Sequence, residues 1–572
     1  MKQPRMSARV TWGVLILHTV LAVWLLPAPA SGQASEDNLP LEVREQLRRA
    51  GQLEILRQAQ PREARRPRPT GVALLDEPGE VRDDRHQPPV LPNPAQGWEP
   101  YSGPWTLAES AHLLHRSLVG ARFEEIEQVH KLHLPAALDA LLAPQPAPAP
   151  PGPWVFEPVP DVSGWTQAQI DSLVQVYVER DEVLRMWWLE QIVNSPMSLT
   201  EAMVHFWHDH FATGMETVFF PQSMYRQNAT LREHALGNFK TLTYEIAIDP
   251  AMLLWLDGQT NKVTNPNENF ARELLELFTM GEGSGYSQTD IEEAARACTG
   301  WVTPDAVQSV FYPYRHDYGI KTFLGQTGNW DMQDIVDIVF EQDATAEYLC
   351  GKLYRWFLDD EPAPEDVQAL AQILRDNDYE VEPVLRTLLG STQFFDPQYR
   401  GSIIKDGLDL YGGITRSFHM SGFNPSADPM GDQGEFVFLQ MYFYGHLLLD
   451  PPNVAGWPGH RNWINTFTLP IRKFLSSEHI DGMFGNANLG YAIDVMTETA
   501  RFTDPEDADA LVDDLALLCF GQPPTPLVRQ AMLDELLAGE APSYWTMSLP
   551  DAQLRLETLY KFAMHLPDFQ LK

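Results

Sequence analysis

A chain of 572 residues with 78 Asp and Glu against 41 Lys and Arg carries a formal charge of −37. Such a surface repels nucleic acid and anionic membrane, which excludes both as partners. Three cysteines are too few for a disulfide scaffold, and their odd number leaves at least one thiol free.

At the N-terminus, Lys2, Arg5 and Arg9 precede an apolar run from Val14 to Leu26, broken only by His18 and Thr19 and followed by small residues through Ala30 and Ala34. Residues 1–34 therefore read as a cleaved export signal, the run being short for a membrane span. The expected location is the periplasm or cell surface of a bacterium, with no transmembrane segment after cleavage. Because the signal holds three cations and no acid, its removal takes the charge to −40.

Residues 35–100 form a Pro/Arg-rich leader (QPREARRPRPT, RHQPPVLPNPAQGWEP), expected to be disordered apart from a helical piece over Leu41–Gln58. A helical domain is expected over residues 101–490, starting with TLAESAHLLHRSLVG and interrupted by a stiff Pro/Ala-rich loop at 143–160. From Thr166 on, apolar residues recur at three and four. They do so in Ile170–Ile192, Leu199–Phe211, Leu231–Ile248, Phe270–Phe278, Ile335–Phe340, Ala344–Phe357, Val367–Leu374, Val384–Leu389 and Phe438–Leu449. Ser198, Asp290 and Asp334 read as helix starts. Alternating β-branched runs are nearly absent, so the fold class is all-α, a large irregular multi-helix globule. Residues 491–572 read as a helical extension packing against the body. Cys298 and Cys350 sit in apolar helical contexts and are expected as buried thiols.

Chemistry concentrates between Glu201 and Trp301. In a regular helix Glu201, His205 and His208 fall at about 0°, 40° and 340°, a shared face that reads as half of a metal site. His208 and His210 read equally as core histidines satisfied by carbonyls or by Asp209. Asn267 can cap the next helix, on which Glu268, Arg272 and Glu276 follow at i,i+4 spacing. That ladder is either surface ion pairing or, with Glu273, a buried acid/base group. Further on, His316, Asp317 and Lys321 precede a Gly-punctuated loop, and Asn453, Trp457, His460 and Trp463 share a Pro/Gly loop.

The blocks FWHDHF, ALGNFKTL, DPAMLLWLDG, PNENFARELLELFTMG, EAARACTGW, HDYGIKTFLGQTG and PPNVAGWPG, in this order, resemble the signature blocks of the exported bacterial proteins called DUF1800. The resemblance runs from about AHLLHRSLVGARF to Phe474. Its matching residues are His208, His210, Asn267, Glu268, Asn269, Arg272, Glu273, Glu276, Trp301, His316, Asp317, Lys321, Asn453, Gly456 and Trp457. His205 falls where the family pattern is apolar and His446 where it shows Gln, which moves any metal expectation to His208 and His210 beside the Glu268–Glu276 helix. The Pro/Ala insert and the acidic tail look peculiar to this chain. The resemblance implies kinship without an activity, and a partner among exported sulfatase-like proteins of the DUF1501 type.

The expected function is that of a cell-envelope binding or assembly protein acting with an exported partner or a surface polysaccharide. Asn267, Asn269, His316, Asp317, Lys321, Asn453 and Trp457 are its candidate ligand-binding residues. The alternative is a hydrolase-like enzyme on an extracytoplasmic substrate. It would use a divalent metal ion at His208 and His210 or acid/base chemistry at Glu268, Arg272, Glu273 and Glu276. That version requires these two groups to lie side by side.

Overall fold

Side-chain caps set many of the helix starts. Thr106 opens Leu107–Ser117, Ser287 opens Gln288–Ala297, Asp331 opens Met332–Val339 and Asp406 opens Gly407–Ser417, each closed by a carboxylate three residues on. Asp290 and Asp334 are thus the closing partners of capping boxes begun by Ser287 and Asp331, not the caps themselves. The structure, a computed structural model, describes residues 97–420, 425–427, 432–482 and 492–572, all within one compact unit, Pro89–Lys572. The export signal, the leader and its Leu41–Gln58 helix lie outside the described residues.

Among the described residues the fold is all-α. Its only strands are two short antiparallel ribbons, Trp301–Val302 with Val310–Phe311 and Lys321–Phe323 with Gln326–Gly328. The longest helix among the described residues, Gln167–Asn194, is buried from Leu184 to Leu189 and again at Ile192 and Val193, and leaves Val174, Val176 and Val178 exposed. The apolar stretch Leu231–Ile248 is two helices, Pro221–Glu233 and Phe239–Ala247. Asn238 breaks it by turning its side chain to accept the Thr241 amide. Phe270–Phe278 starts as α-helix at Asn269–Glu273 and widens into a π-turn over Leu274–Thr279. The helix Asp432–Tyr444 stops short of Leu449 because Gly445 takes a left-handed φ of 71°. The Gly445 amide then bonds to the Tyr442 carbonyl and the His446 amide to that of Met441, a Schellman closure.

One apolar core joins the first described helix (Leu113, Leu114), the middle of the chain (Trp188, Trp207, Phe278, Leu353) and the C-terminal helices (Leu515, Leu536, Tyr560). The last three long helices, Ala508–Phe520, Pro526–Leu537 and Ala552–His565, are bound into the body. Lys405 Nζ donates to the Cys519 carbonyl at 2.9 Å, and Ile403 and Lys572 exchange backbone bonds at 3.2 and 2.8 Å. The Pro/Ala segment crosses the surface without α-helix or strand, its one regular piece a 3-10 turn at Pro153–Phe156, and is held where Trp187 Nε1 donates to the Ala149 carbonyl. Cys298, Cys350 and Cys519 are buried free thiols, and burial pushes Cys298 and Cys519 up to about 12. No helix among the described residues is long and apolar enough to cross a membrane.

Candidate functional site

The helix Thr200–His210 is buried on almost every side, so its polar side chains must be satisfied inside the protein. Glu201 is satisfied by Arg232, which donates from Nε at 2.6 Å and from Nη2 at 2.9 Å, with Trp188 Nε1 adding a bond at 3.2 Å. A carboxylate committed to a guanidinium is not a free metal ligand, which removes Glu201 from the face expected with His205 and His208. His210 turns to a different neighbour, its Nε2–H donating to the Phe278 carbonyl at 2.9 Å. That carbonyl is available because the helix ends at Thr279, where the last carbonyls have no partner within the helix, while the Met280 and Gly281 amides close on Leu275. Burial holds His210 neutral, well below the usual histidine range.

Asp209 joins two blocks of sequence. Its Oδ1 accepts the Trp457 amide at 2.7 Å, fastening the Asn453–Trp457 loop onto the histidine helix. Gly456, at φ 86°, allows the approach: a Cβ there would lie 2.3 Å from Asp209 Oδ1 and 2.5 Å from its carbonyl oxygen. Burial raises the Asp209 carboxyl to about 6, with Lys352 opposing. Trp457, so anchored, packs against three imidazoles: His446 at 4.4 Å between ring centroids, His208 at 5.7 Å and His205 at 5.9 Å.

His205 and His446 meet directly, Nε2 to Nε2 at 3.0 Å, one ring donating to the other. The carboxylate of Asp406 faces both: Oδ1 lies 3.6 Å from His446 Nδ1 and Oδ2 lies 4.0 Å from His205 Nδ1. One candidate ligand atom from each of the three residues lies within 4.8 Å of the other two. The surroundings are aromatic. Trp463 stacks on His446 with ring planes 9° apart, and Trp356 meets His205 edge-on. Local structure places each member. His446 follows the Gly445 helix stop, and Asp406 caps Gly407–Ser417. Gly407 leaves room for the imidazole, since a Cβ there would come within 2.5 Å of His446 Cβ. The Asp409 amide donates to Asp406 Oδ1 at 2.7 Å, and Lys572 Nζ holds Asp409 at 2.6 Å. Burial lowers both histidine pKa values, that of His446 well below its usual range. His208 stands beside this group with Nε2 buried and without a hydrogen-bond partner, and burial brings its pKa down to about 3.

The remaining expected residues sit elsewhere. On the next helix, Arg272 bridges Glu268 at 3.0 Å and Glu276 at 3.4 Å, all three partly exposed, with Gln288 completing the cluster. Glu273 is raised by burial and by the neighbouring Glu276. Asn267 Oδ1 accepts the Asn269 amide and Asn269 itself is exposed. Contact between the two groups runs through His210 and the Phe278 carbonyl, not through imidazole and carboxylate.

In the Gly-punctuated loop, His316 Nδ1 donates to the Thr299 carbonyl at 2.9 Å and Arg296 grips Asp317 through Nε at 2.8 Å. That guanidinium lowers the Asp317 pKa. Lys321, buried, donates to the carbonyls of Asp317 and Gly319, and burial lowers its pKa. Asn453 Oδ1 closes its own turn on the Ala455 amide. A small cleft lined by His115, Lys405, Asp409, Ser417 and Lys572 reaches the capping partner of Asp406, while its walls include neither Asp406 nor the paired histidines.

Sequence reasoning set His205 and His446 aside because they depart from the family pattern, and it passed over Asp406. The signals that could have found them are modest: a cap-type Asp-Gly-x-Asp at 406–409, and Gly445 ending an apolar run just before a histidine.

The fold and the site together define an all-helical protein with a buried imidazole–carboxylate centre and an ion-paired surface helix. The chain belongs to the DUF1800 family, whose model, described as "Protein of unknown function (DUF1800)", matches residues 112–571. The match runs through the C-terminal helices, well past Phe474, so the tail is family structure and not an addition peculiar to this chain. Among curated proteins and among solved structures, none matches the chain.

Proposed function

We propose that this is an exported binding or assembly protein of the cell envelope, acting with an exported partner, a DUF1501-type protein among the candidates, or with a surface polysaccharide. The observation that carries this reading is the loop Tyr312–Ile320. It holds Tyr314, Ile320 and Tyr318 in solvent at 78, 65 and 58 % exposure. The loop is braced from beneath by Arg296–Asp317, by the two Lys321 bonds, by His316 on Thr299 and by Arg315 Nη2 donating to the Gln259 carbonyl at 2.7 Å. Exposed aromatic and aliphatic side chains on a braced loop lose little freedom on binding, and they suit the apolar face of a sugar ring or a protein anchor pocket. The candidate residues His316, Asp317 and Lys321 then act as supports of the binding loop and not as its contacts.

The test is retention of the mature protein on envelope extracts and on purified surface glycans. The wild type is compared with a triple variant, Tyr314→Ala, Tyr318→Ala, Ile320→Asp. Retention lost in the variant at an unchanged unfolding midpoint supports the reading, and equal retention of both proteins rejects it. Cell fractionation checks export.

The second reading, a metal-dependent or carboxylate acid/base enzyme on an extracytoplasmic substrate, is favoured by the convergence of His205, His446 and Asp406. Its test is a hydrolase screen in which Asp406→Asn must abolish whatever turnover the wild type shows.

A further inference from the structure

We propose that His205, Asp406 and His446 bind one divalent transition-metal ion, with Zn2+ the best match to two imidazoles and a carboxylate. This donor set recurs in zinc sites that keep a fourth position open. Two ligand atoms on one zinc, each bonded at about 2.0–2.2 Å, lie roughly 3 to 3.5 Å apart. The Nε2–Nε2 distance of 3.0 Å already meets that separation. Asp406 lies at 3.6 and 4.0 Å from the Nδ1 atoms of the two rings, and one ligand atom of each residue lies within 4.8 Å of the others, so the set closes on an ion when the carboxylate and the rings turn toward one another.

Three further observations favour an ion over a bare hydrogen-bonded pair. First, the group is enclosed by the indoles of Trp356, Trp457 and Trp463, where polar side chains are costly to bury unless strongly paired. Second, Asp406 is itself held by the Asp409 amide, and Asp409 by Lys572, the outer support that orients a metal-binding carboxylate. Third, His208 Nε2, packed on the same Trp457 indole, is a further buried polar atom without a hydrogen-bond partner beside the group. Binding requires each imidazole to present a bare ring nitrogen. His446 Nδ1 accepts the Leu408 amide at 3.4 Å, so the hydrogen between the rings sits on His446 Nε2 and must move to Nδ1, giving up that weak contact for one facing Asp406 Oδ1.

The site shares no residue with the tyrosine loop, so either inference can fail alone. The test uses the full mature chain, purified from the periplasm without chelator for elemental analysis. A chelator-stripped sample is then titrated with Zn2+ and with Co2+. Expected are one equivalent of metal per chain, a rise in Tm on adding Zn2+, and visible d–d absorption on adding Co2+. Asp406→Asn keeps the helix cap and His446→Gln keeps a polar side chain of similar size, and each should weaken binding at least about tenfold. His208→Gln should retain one equivalent. If the purified chain holds no metal and neither Tm nor the cobalt spectrum responds, the site does not exist. One equivalent bound at unchanged affinity in both ligand variants would place the ion elsewhere and overturn the assignment equally. Should either variant fail to fold, stoichiometry and the cobalt spectrum of the wild type still decide.

Discussion

Asp209 ties the histidine helix to the tryptophan loop through one hydrogen bond, and Gly456 is the residue that lets it do so. Gly456→Ala should therefore cost roughly 2–5 kcal/mol, combining a left-handed backbone with overpacking against Asp209. Urea unfolding checks this; a loss below about 1 kcal/mol would mean that the loop does not sit on Asp209. The Arg416–Glu125 pair is the other residue-scale test, being almost fully buried, with bonds of 2.7 and 2.8 Å. Arg416→Ala leaves Glu125 with only the longer 3.7 Å pairing to Arg122 and the Arg122 amide, and should cost about 2–4 kcal/mol in the same assay. At this scale much of the chemistry was legible in advance: His-Asp-His among aromatics marks residues that need partners inside the protein. Which partner each finds was not. Glu201 and His205 share a helical face, yet one goes to Arg232 and the other to His446, because the arriving side chains come from other parts of the chain.

At the scale of elements, His210 takes as its partner a carbonyl left free at the end of the Leu274–Thr279 turn. His210→Ala would strand the Phe278 carbonyl and open a cavity, for an expected loss of about 2–4 kcal/mol with metal content unchanged. His419 links elements differently. It lies between Glu124 at 2.5 Å and Glu498 at 2.9 Å, joining the helix Phe123–Leu141 to the segment Val495–Thr499. Those carboxylates raise its pKa from 6.5 to about 9. The raised value means that the folded state holds the proton more tightly. The contribution is complete below about pH 6.5 and is lost as pH climbs through about 9. Thermal unfolding across that window should show a falling Tm that flattens in His419→Gln. Helix existence was readable from apolar spacing. Boundaries moved where a side chain captured a backbone group, as Asn238 does within Leu231–Ile248, or where a glycine turned left-handed, as Gly445 does.

At the scale of the whole molecule, residues 492–572 share one core with the opening helices. Leu515 and Tyr560 belong to the same apolar cluster as Leu113 and Trp207, and Lys405 reaches across to Cys519. Truncation after Asp481 should leave an insoluble or proteolysed product instead of a folded shorter domain. The full chain should unfold in one transition by circular dichroism and by tryptophan fluorescence. Two separated transitions would mark the C-terminal helices as a unit that unfolds on its own.

The sequence by itself determined the helical class, the placement of most helices, the family and the segments where polar chemistry gathers. Those properties follow from periodicity, caps and short-range spacing, which act over a few residues. The tertiary structure alone decided that His205, Asp406 and His446 converge, that Glu201 is spent on Arg232 and that the tail completes the core. Those outcomes depend on contacts between residues tens to hundreds of positions apart, selected by packing and by the cost of leaving buried polar groups unpaired.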